Sequence, residues 1–439
     1  MTVSRRQFLA SVAGSLPILP VLPALPVLPV LPVLRPLPSA SQLTWQEDEL
    51  ALFLHFGVNT FTDREWGDGT EDPAVFAPSA FDPRQWARTA KSASVRSLIL
   101  TAKHHDGFCL WPSKTTRHSV AGSPFRAGAG DVVREFADAC RAEGLGAGLY
   151  LSPWDRNAPV YGSPRYNDFY CDQLTELLSH YGPIREVWFD GANGEGPNGR
   201  RQDYDWARYW ALVRRLQPHA VIFSDAGPDL RWIGNENGAA GETNWSTVDP
   251  AAVPFPGAAG DRVTEMLQHG DPHGTVWRPG ETDVSIRPGW FYHPAEDANV
   301  KTVDQLVDLY FTSVGRNSKL LLNVPPTREG LLHATDAARL SGMRQRLDAL
   351  FAHDLSPRVR AGREATVSIA DLREDITHGQ SVARYTLHGQ SGGAWRVLSQ
   401  GTTIGYRKLD RFAPVPASGV RLEIEDTVGA ARPVRLALY

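Results

Sequence analysis

Polar and aromatic side chains follow four successive apolar segments in the first half of the chain. Each apolar run is short enough to be a strand, and each is followed at once by groups able to bind a sugar or carry a proton. In a parallel barrel the carboxyl ends of all strands face one side, so we expect these side chains to meet there. In chain order they are His55, Asn59, His104, His105, Asp106, Tyr150, Trp154, Asp155, Trp188 and Asp190.

A site built from histidine, aromatic and carboxyl groups suits two kinds of chemistry. One is hydrolysis of a glycosidic bond flanked by two carboxyl groups, with the histidine and aromatic side chains holding the sugar. The other is metal-assisted hydrolysis with His and Asp ligands. The run His104, His105, Asp106 is a weak chelate, because adjacent residues on a strand point to opposite faces. The residue types therefore favour a glycosidase over a metal-dependent barrel hydrolase.

The elements that must position these residues alternate between apolar runs and amphipathic stretches. Apolar residues recur at helical spacing between several runs, for example over 82–93, 130–144, 166–182 and 302–316. Continuous apolar strands separated by helices indicate a parallel sheet, and eight strands predict a distorted (β/α)8-type barrel of the α/β class. Some helices are expected to be missing, since the sixth and seventh units are weak. A doubly wound open sheet is the alternative. The eight predicted strands lie within 50–59, 95–105, 145–155, 185–191, 219–227, 240–246, 282–290 and 318–326.

The last part of the chain has a different pattern. After a predicted helix over 335–354, short alternating segments are separated by Gly, Ser and Asp turns. Alternation with a period of two predicts antiparallel strands, so we expect a C-terminal β-sandwich over 356–439 after a barrel over 42–355. Packing against the barrel and carbohydrate binding are both open as its role.

The composition limits the classes of partner. A formal net charge of −4 shows no basic excess, which argues against nucleic acid as a partner. Cys109, Cys140 and Cys171 are widely spaced, which argues against a disulfide framework and a thiolate metal site. The 13 tryptophans suit a carbohydrate partner, because an indole face can cover the apolar face of a sugar.

The first 41 residues are predicted to be an export signal and a leader rather than part of the fold. The motif "SRRQFLA" places Arg5 and Arg6 before Phe8 and Leu9, as in a twin-arginine signal. The apolar stretch that follows carries Pro about every third residue, which makes it a poor membrane span. We therefore expect export to the periplasm or the medium, with no stable membrane span in the mature protein.

Seven ordered motifs give the chain a specific resemblance. They are "LHFGVNTFTDREWGDG", "LTAKHHDGFCLWPS", "LYLSPWD", "EVWFDGANGEG", "RWIGNENG", "SIRPGWFYH" and "LLLNVPPTREG", and they span about residues 49–330. The set resembles glycoside hydrolase family 29, the α-L-fucosidases. The resemblance implies an exo-acting, retaining enzyme with a distorted (β/α)8 barrel, a C-terminal β-sandwich and no metal or other cofactor. The expected partner is a fucosylated oligosaccharide or glycoconjugate.

The resemblance also implies roles for individual residues. Asp190 of "WFDG" matches the family nucleophile, which forms a covalent fucosyl-enzyme. The expected sugar contacts are His55, Glu65, Trp66, His104, His105, Tyr150, Trp188 and Trp290.

The acid/base has no fixed motif in this family, and three glutamates are candidates. Glu236 of "GNENG" is preferred, because it follows the fifth strand in a Gly- and Asn-rich loop that could reach the leaving group. Glu281 is the runner-up and Glu242 the third candidate. An acid of this kind needs a raised pKa, which burial beside Trp232, Trp245 or Trp290 would give.

The motifs "GNE" and "DVSIRPGWFYH" also resemble a plant and bacterial subgroup of the family. That subgroup acts on α-1,3- and α-1,4-linked fucose of branched N-acetylglucosamine, so the same linkages are expected here. A fucose-binding barrel without turnover is the other hypothesis, and retention of Asp190 and the histidines argues against it.

Overall fold

An eight-stranded parallel sheet forms the larger part of the protein in the computed structural model, which describes residues 35–439. The predicted twin-arginine motif lies outside the described residues. The first ten strands along the chain are β1 (Leu50–Leu54), β2 (Ser97–Lys103), β3 (Gly146–Leu151), β4 (Glu186–Trp188), β5 (Val221–Phe223), β6 (Arg231–Trp232), β7 (Thr247–Val248), β8 (Val276–Trp277), β9 (Gly280–Ser285) and β10 (Ser318–Asn323).

The sheet curls into a nearly closed barrel. Its strand order is β5-β4-β3-β2-β1-β10-β9-β6, with every neighbouring pair parallel. Between β5 and β6 there is no regular ladder, but the N–H groups of Asp229 and Leu230 both donate to the Ile222 carbonyl. Strands β7 and β8 form a small antiparallel pair outside the barrel. The predicted distorted (β/α)8 barrel is therefore confirmed, and the doubly wound sheet is excluded.

In the described chain a helix follows every barrel strand except β5. The helices of the described chain are α1 (Ala40–Glu47), α2 (Val58–Thr62), α3 (Pro83–Ser92), α4 (Val132–Glu143), α5 (Arg165–His180), α6 (Trp206–Leu216), α7 (Asp261–His269), α8 (Val303–Thr312), α9 (Ala334–Leu350) and α10 (Ser356–Arg360). The helix missing from the regular pattern is the one between β5 and β6, which a short loop connects. The missing helix was expected in the sixth or seventh unit instead.

The sixth strand was predicted in the wrong segment. Residues 240–246 form a loop rather than a barrel strand, and the sixth barrel strand is β6. The loop binds the C-terminal domain: the Asn244 N–H donates to Thr403 Oγ1 at 2.9 Å, and the hydroxyls of Thr243 and Thr402 are hydrogen-bonded at 2.6 Å. These polar contacts take the place of a sheet ladder.

Both faces of the barrel strands are buried, as continuous apolar runs require. On β1, Leu52 and Leu54 pack against the helices, whereas Ala51 and Phe53 point into the barrel. Trp45 of α1 belongs to the same interior cluster and closes the barrel at the amino ends of the strands. Its indole N–H donates to Glu186 Oε2 at 2.9 Å. Helix α1 begins at Ala40, inside the segment predicted as the leader.

The C-terminal region is an antiparallel β-sandwich, as predicted. Its strands are β11 (Ala365–Glu374), β12 (Val382–Ser391), β13 (Ala394–Gly401), β14 (Lys408–Ala417), β15 (Gly419–Thr427) and β16 (Val434–Leu438). They form two three-stranded sheets, of order β14-β11-β16 and β13-β12-β15, which enclose an apolar core. Arg407 connects the sandwich to the barrel: it pairs with Glu49, next to β1, at 2.9 Å and with Asp371 of β11 at 2.8 Å. Among residues 35–439, no helix combines the length and apolar character needed to cross a bilayer.

Candidate active site

A cavity of about 200 Å³ opens at the carboxyl ends of the barrel strands. All ten residues given as catalytic or sugar-binding, with Glu236 as the first choice of acid, line this one cavity. The sequence interpretation missed three further lining residues, Phe53, Ala192 and Asp283. The complete lining is Phe53, His55, Glu65, Trp66, His104, His105, Tyr150, Trp188, Asp190, Ala192, Glu236, Asp283 and Trp290.

Asp190 lies two residues beyond the last residue of β4 and is held by three groups. Its Oδ1 accepts the Ala192 N–H at 2.8 Å, and its Oδ2 accepts the Tyr150 hydroxyl at 2.9 Å. His105 Nε2 lies 3.9 Å from the same Oδ2. Gly191 permits this turn, because a Cβ there would lie 2.5 Å from Asp225 Oδ2. The side chain remains 28% exposed, so one face of the carboxylate is open to the cavity.

Three histidines form one wall of the cavity, and burial keeps them neutral near pH 7. Burial lowers the pKa of His55 to about 4, against the hydrogen bond of its Nδ1 with Asn323 Oδ1 at 2.8 Å. Burial also lowers the pKa of His104 and His105. His105 Nδ1 contacts Ser152 Oγ at 2.7 Å, while Nδ1 of His104 is buried without a partner among the described residues. Neutral imidazoles can each donate one hydrogen bond and accept another, as sugar hydroxyls require.

A buried ion pair fixes the turn that carries His104 and His105. Lys103 Nζ contacts Asp155 Oδ2 at 2.9 Å, and both side chains are almost fully buried. The pair therefore joins the end of β2 to the segment after β3. Gly107 lies next to it with φ of +81°, and a Cβ there would meet Asp155 Oδ1 at 2.5 Å. The "KHHDG" motif thus positions two cavity residues through a lysine and a glycine that do not line the cavity.

Trp188 forms the floor of the cavity, and two glutamates lie beneath it. Its ring stacks on Phe223 at 4.0 Å between centroids, and its Nε1 donates to Glu281 Oε1 at 2.9 Å. Burial and the neighbouring Glu186 raise the pKa of Glu281 well above its usual range. The Glu186 carboxyl adds to the raised pKa of Glu281 by its charge, and Lys319 Nζ lies 3.7 Å from Glu186 Oε2. Three buried charged side chains inside the barrel, Glu281, Glu186 and Lys319, therefore lie beneath the floor residue Trp188.

The three acid/base candidates occupy different places. Glu236 lines the cavity, and burial raises its pKa, with smaller contributions in the same direction from Asp190 and Glu65. The runner-up Glu281 is fully buried below the floor and does not line the cavity. Glu242 is 80% exposed and pairs with Arg316 at 3.3 Å, beside the sandwich. Of the three, Glu236 alone lines the cavity together with Asp190.

Glu65 lines the cavity and also binds the backbone of the loop that follows β9. Its Oε1 accepts the Trp290 N–H at 2.5 Å and its Oε2 accepts the Phe291 N–H at 3.2 Å. The Trp290 indole in turn donates to Glu236 Oε2 at 3.4 Å. Trp66, the next residue after Glu65, is 59% exposed at the rim and meets His105 edge-on at 6.0 Å.

Asp283 is a buried acid of the cavity wall that the sequence motifs did not indicate. It lies on β9, two residues after Glu281 and on the same face of the strand. Its Oδ1 accepts the Trp232 Nε1–H at 2.7 Å. Burial, and to a lesser degree the charge of Glu236, raises the pKa of Asp283 to about 8. Residues two apart on a strand share a face, so the spacing of Asp283 from the candidate Glu281 was the sequence feature that could have indicated it.

The geometry defines a class of protein. A parallel barrel with neutral histidines, indole faces and two cavity carboxyls in different surroundings at its carboxyl end is the arrangement of a glycoside hydrolase. In the described part of the chain, no three His, Cys, Asp or Glu side chains are grouped as a metal site would require.

Comparisons with known proteins identify the family. The model of the family described as alpha-L-fucosidase matches residues 69–349. Alpha-L-fucosidase 1 of Arabidopsis thaliana is 42% identical over 428 residues, which cover 87% of this chain and 83% of that protein. The chain therefore belongs to the α-L-fucosidase family, glycoside hydrolase family 29, and is a glycoside hydrolase that acts on α-L-fucosides.

Solved structures agree with this assignment. A glycoside hydrolase 29 family member from an unknown rumen bacterium has a TM-score of 0.87 and 42% identity, over 93% of this chain and 78% of that chain. A Ruminococcus gnavus GH29 fucosidase in complex with fucose has a TM-score of 0.81 and 30% identity, over 92% and 95% of the two chains. The barrel and the sandwich are both included in these matches.

Proposed function

We propose that this α-L-fucosidase removes terminal fucose by double displacement with net retention, using Asp190 as nucleophile and Glu236 as acid/base. The observation that carries the proposal is the placement of these two carboxyl groups in one cavity with different surroundings. Asp190 accepts hydrogen bonds from the Tyr150 hydroxyl and the Ala192 N–H, whereas burial raises the pKa of Glu236 and favours its protonated form.

In the first step, Asp190 attacks the anomeric carbon of fucose while Glu236 gives its proton to the glycosidic oxygen. The bond to the leaving sugar breaks, and an ester forms between the fucose and Asp190. In the second step, the Glu236 carboxylate takes a proton from water, which attacks the same carbon and releases Asp190 and fucose. The Tyr150 hydroxyl, 2.9 Å from Asp190 Oδ2, stabilises the charge that returns to that oxygen.

The size and depth of the cavity support exo action on a single terminal sugar. A cavity of about 200 Å³ with a closed floor at Trp188 suits one deoxyhexose ring. His55, His104 and His105 offer neutral donors and acceptors for its hydroxyls. The aromatic side chains offer apolar contact for its methyl group.

Asp190→Gly tests the nucleophile. We expect turnover to fall by more than about 10⁴-fold, because the covalent step is lost. Added azide should restore turnover of an activated fucoside and yield a fucosyl azide. Asp225→Asn is the control, because Asp225 is a partly buried acid close to Gly191 that accepts the Gly257 N–H at 2.9 Å. Full activity of the Asp190 variant would remove it from the mechanism.

Glu236→Ala tests the acid/base. We expect a loss of about 10²–10⁴-fold on saccharide substrates, the range for general acid catalysis, and a much smaller loss on α-L-fucosyl fluoride. Glu242→Ala, in an exposed loop, is the matched control and should retain activity. Glu281→Gln keeps an acceptor for Trp188 and distinguishes a floor residue from an acid. A larger loss in this variant than in Glu236→Ala would assign the role to Glu281.

The proposed substrates are fucosylated oligosaccharides or glycoconjugates with α-1,3- or α-1,4-linked fucose. The support is the resemblance of "GNENG" and "DVSIRPGWFYH" to the plant and bacterial subgroup, together with the 42% identity to the Arabidopsis relative. A Lewis trisaccharide should be hydrolysed faster than an aryl fucoside. The opposite order of kcat/KM would contradict the linkage proposal.

We further propose export through the twin-arginine route, on the strength of Arg5 and Arg6 in "SRRQFLA". Replacing both by Lys should retain the enzyme in the cytoplasm, as measured by activity in fractionated cells. Unchanged export would refute this signal. The proposed chemistry needs no metal, so a chelator should leave kcat/KM unchanged.

A further inference from the structure

His293 lies between two carboxyl groups at the edge of the active site without lining the cavity. Its Nδ1 lies 2.9 Å from Asp63 Oδ1 and its Nε2 lies 3.0 Å from Glu65 Oε2. A neutral imidazole has one N–H, whereas an imidazolium donates from both nitrogens. Both contacts are therefore hydrogen bonds only when both ring nitrogens of His293 are protonated, that is, when the side chain is an imidazolium.

The second carboxyl group, Glu65, holds the backbone of the loop that follows β9. It accepts the Trp290 N–H at 2.5 Å and the Phe291 N–H at 3.2 Å. The preceding N–H, of Gly289, donates to Glu296 Oε2 at 3.1 Å. Three successive N–H groups of this turn thus depend on two carboxylates, and His293 contacts one of them.

The loop in turn carries a contact to the proposed acid/base. The Trp290 indole N–H donates to Glu236 Oε2 at 3.4 Å, and the ring packs against His55 at 5.2 Å between centroids. Contacts therefore run from His293 through Glu65 and Trp290 to Glu236. A shift of the loop would move the donor that orients the Glu236 carboxyl.

We propose that His293 is a positioning residue that acts through Glu65 and Trp290 to orient Glu236 for proton transfer to the leaving group. The inference rests on the proposed function, because it takes Glu236 as the acid/base. His293 itself does not contact the cavity and is not a catalytic residue.

The charges around His293 fit this role. Burial opposes its charged form, but the hydrogen bonds to Glu65 and Asp63 outweigh burial and raise the pKa of His293, with a further contribution from Glu296. Arg328, 3.7 Å from Asp63, is the other cation of the group. An imidazolium here holds together two carboxylates that would otherwise repel each other.

The test compares two leaving groups in His293→Phe and His293→Gln. Fluoride leaves α-L-fucosyl fluoride without a proton, whereas the sugar leaving group of a Lewis trisaccharide needs one. We expect His293→Phe to lower kcat/KM at least about tenfold on the trisaccharide and less than about twofold on the fluoride, because a misplaced acid loses part of its contribution of about 10²–10⁴-fold. His293→Gln keeps one donor and should fall between the wild type and His293→Phe.

The matched control is His388→Gln in the sandwich. His388 lies 3.3 Å from Glu423 and is 17% exposed, against 16% for His293. This control should leave both substrates unaffected. Equal losses on both substrates in His293→Gln, or no loss on either, would overturn the positioning role. If the wild type itself turns over neither substrate, the proposed function fails, which is a different outcome.

Discussion

Removing the Tyr150 hydroxyl tests the second half of the proposed reaction. Tyr150→Phe keeps the buried ring and deletes a hydroxyl that donates to Asp190 Oδ2 at 2.9 Å. In the first step the Tyr150 hydroxyl stabilises the attacking Asp190 carboxylate before the reaction as well as during it. Losing the hydroxyl therefore changes the barrier of the first step little. In the second step the carboxylate re-forms from a neutral ester, so the full stabilisation is lost there.

The size of the effect follows from the surroundings of Asp190. A hydrogen bond to a charged group contributes about 1.5–3 kcal/mol. Because the Asp190 side chain is 28% exposed, water compensates part of the loss, and the lower half of this range applies. About 1.5–2 kcal/mol corresponds to a decrease in kcat of roughly 10- to 30-fold.

The assay is stopped-flow fluoride release from α-L-fucosyl fluoride. If the second step becomes limiting, fluoride should appear in a burst with an amplitude close to the enzyme concentration. The fucosyl-enzyme should accumulate to a level that intact-mass spectrometry can detect. KM should fall together with kcat, since the covalent intermediate builds up.

The control is Tyr181→Phe. It removes a hydroxyl that donates to Asp131 Oδ2 at 3.0 Å, and neither residue lines the cavity. It should change thermal stability to a similar extent and leave kcat unchanged. The reasoning would be refuted if Tyr150→Phe kept kcat within about twofold of the wild type and showed no burst.

Three further predictions concern the surroundings of the site. Lys103→Met should lower the free energy of unfolding by about 3–5 kcal/mol in urea titrations, because it leaves Asp155 buried without its cation. Arg88→Ala, which removes the exposed contact with Glu143, is the control and should change the free energy of unfolding far less. Asp283→Asn keeps an acceptor for Trp232. The free energy of unfolding of this variant minus that of the wild type should increase as the pH rises from about 4 to about 8. The wild-type Asp283 stays protonated in the fold up to a pKa of about 8 while the unfolded chain loses this proton near pH 4, so a flat difference across this range would contradict the raised pKa. The His55 imidazole should stay neutral by NMR down to about pH 5, since its pKa is lowered to about 4, and wild-type stability should fall as the pH drops from 6.5 towards 4; protonation of His55 near pH 6.5 would contradict its burial.

The sequence predicted the long elements well because their patterns are strong. Strands β1, β2, β3 and β10 are continuous apolar runs, and the helix expected over 82–93 appears as α3. Strand β6 has two residues, one of them charged, so no periodicity reveals it. Its place in the barrel is set by pairing with β9, a tertiary contact that a local pattern does not contain.

The candidate site was predictable where residues follow strong strands and harder elsewhere. The histidines and Asp190 sit at strand ends, which all face one side of a parallel barrel. Glu281 and Asp283 both lie on the inward face of β9, one layer apart in depth. Depth along a strand decides whether an inward acid supports the floor or faces the substrate. The depth of a residue depends on the stagger between strands, which the sequence does not display.

Trp45, on the first helix of the described chain, packs inside the barrel on the side opposite the cavity. Trp45 donates to Glu186, whose charge acts on Glu281, and Glu281 accepts the indole N–H of the floor residue Trp188. A truncation that removes Ser39 would delete the N-cap of the helix that carries Trp45. The choice of amino terminus for a recombinant protein therefore affects a helix whose tryptophan packs inside the barrel beneath the candidate active site.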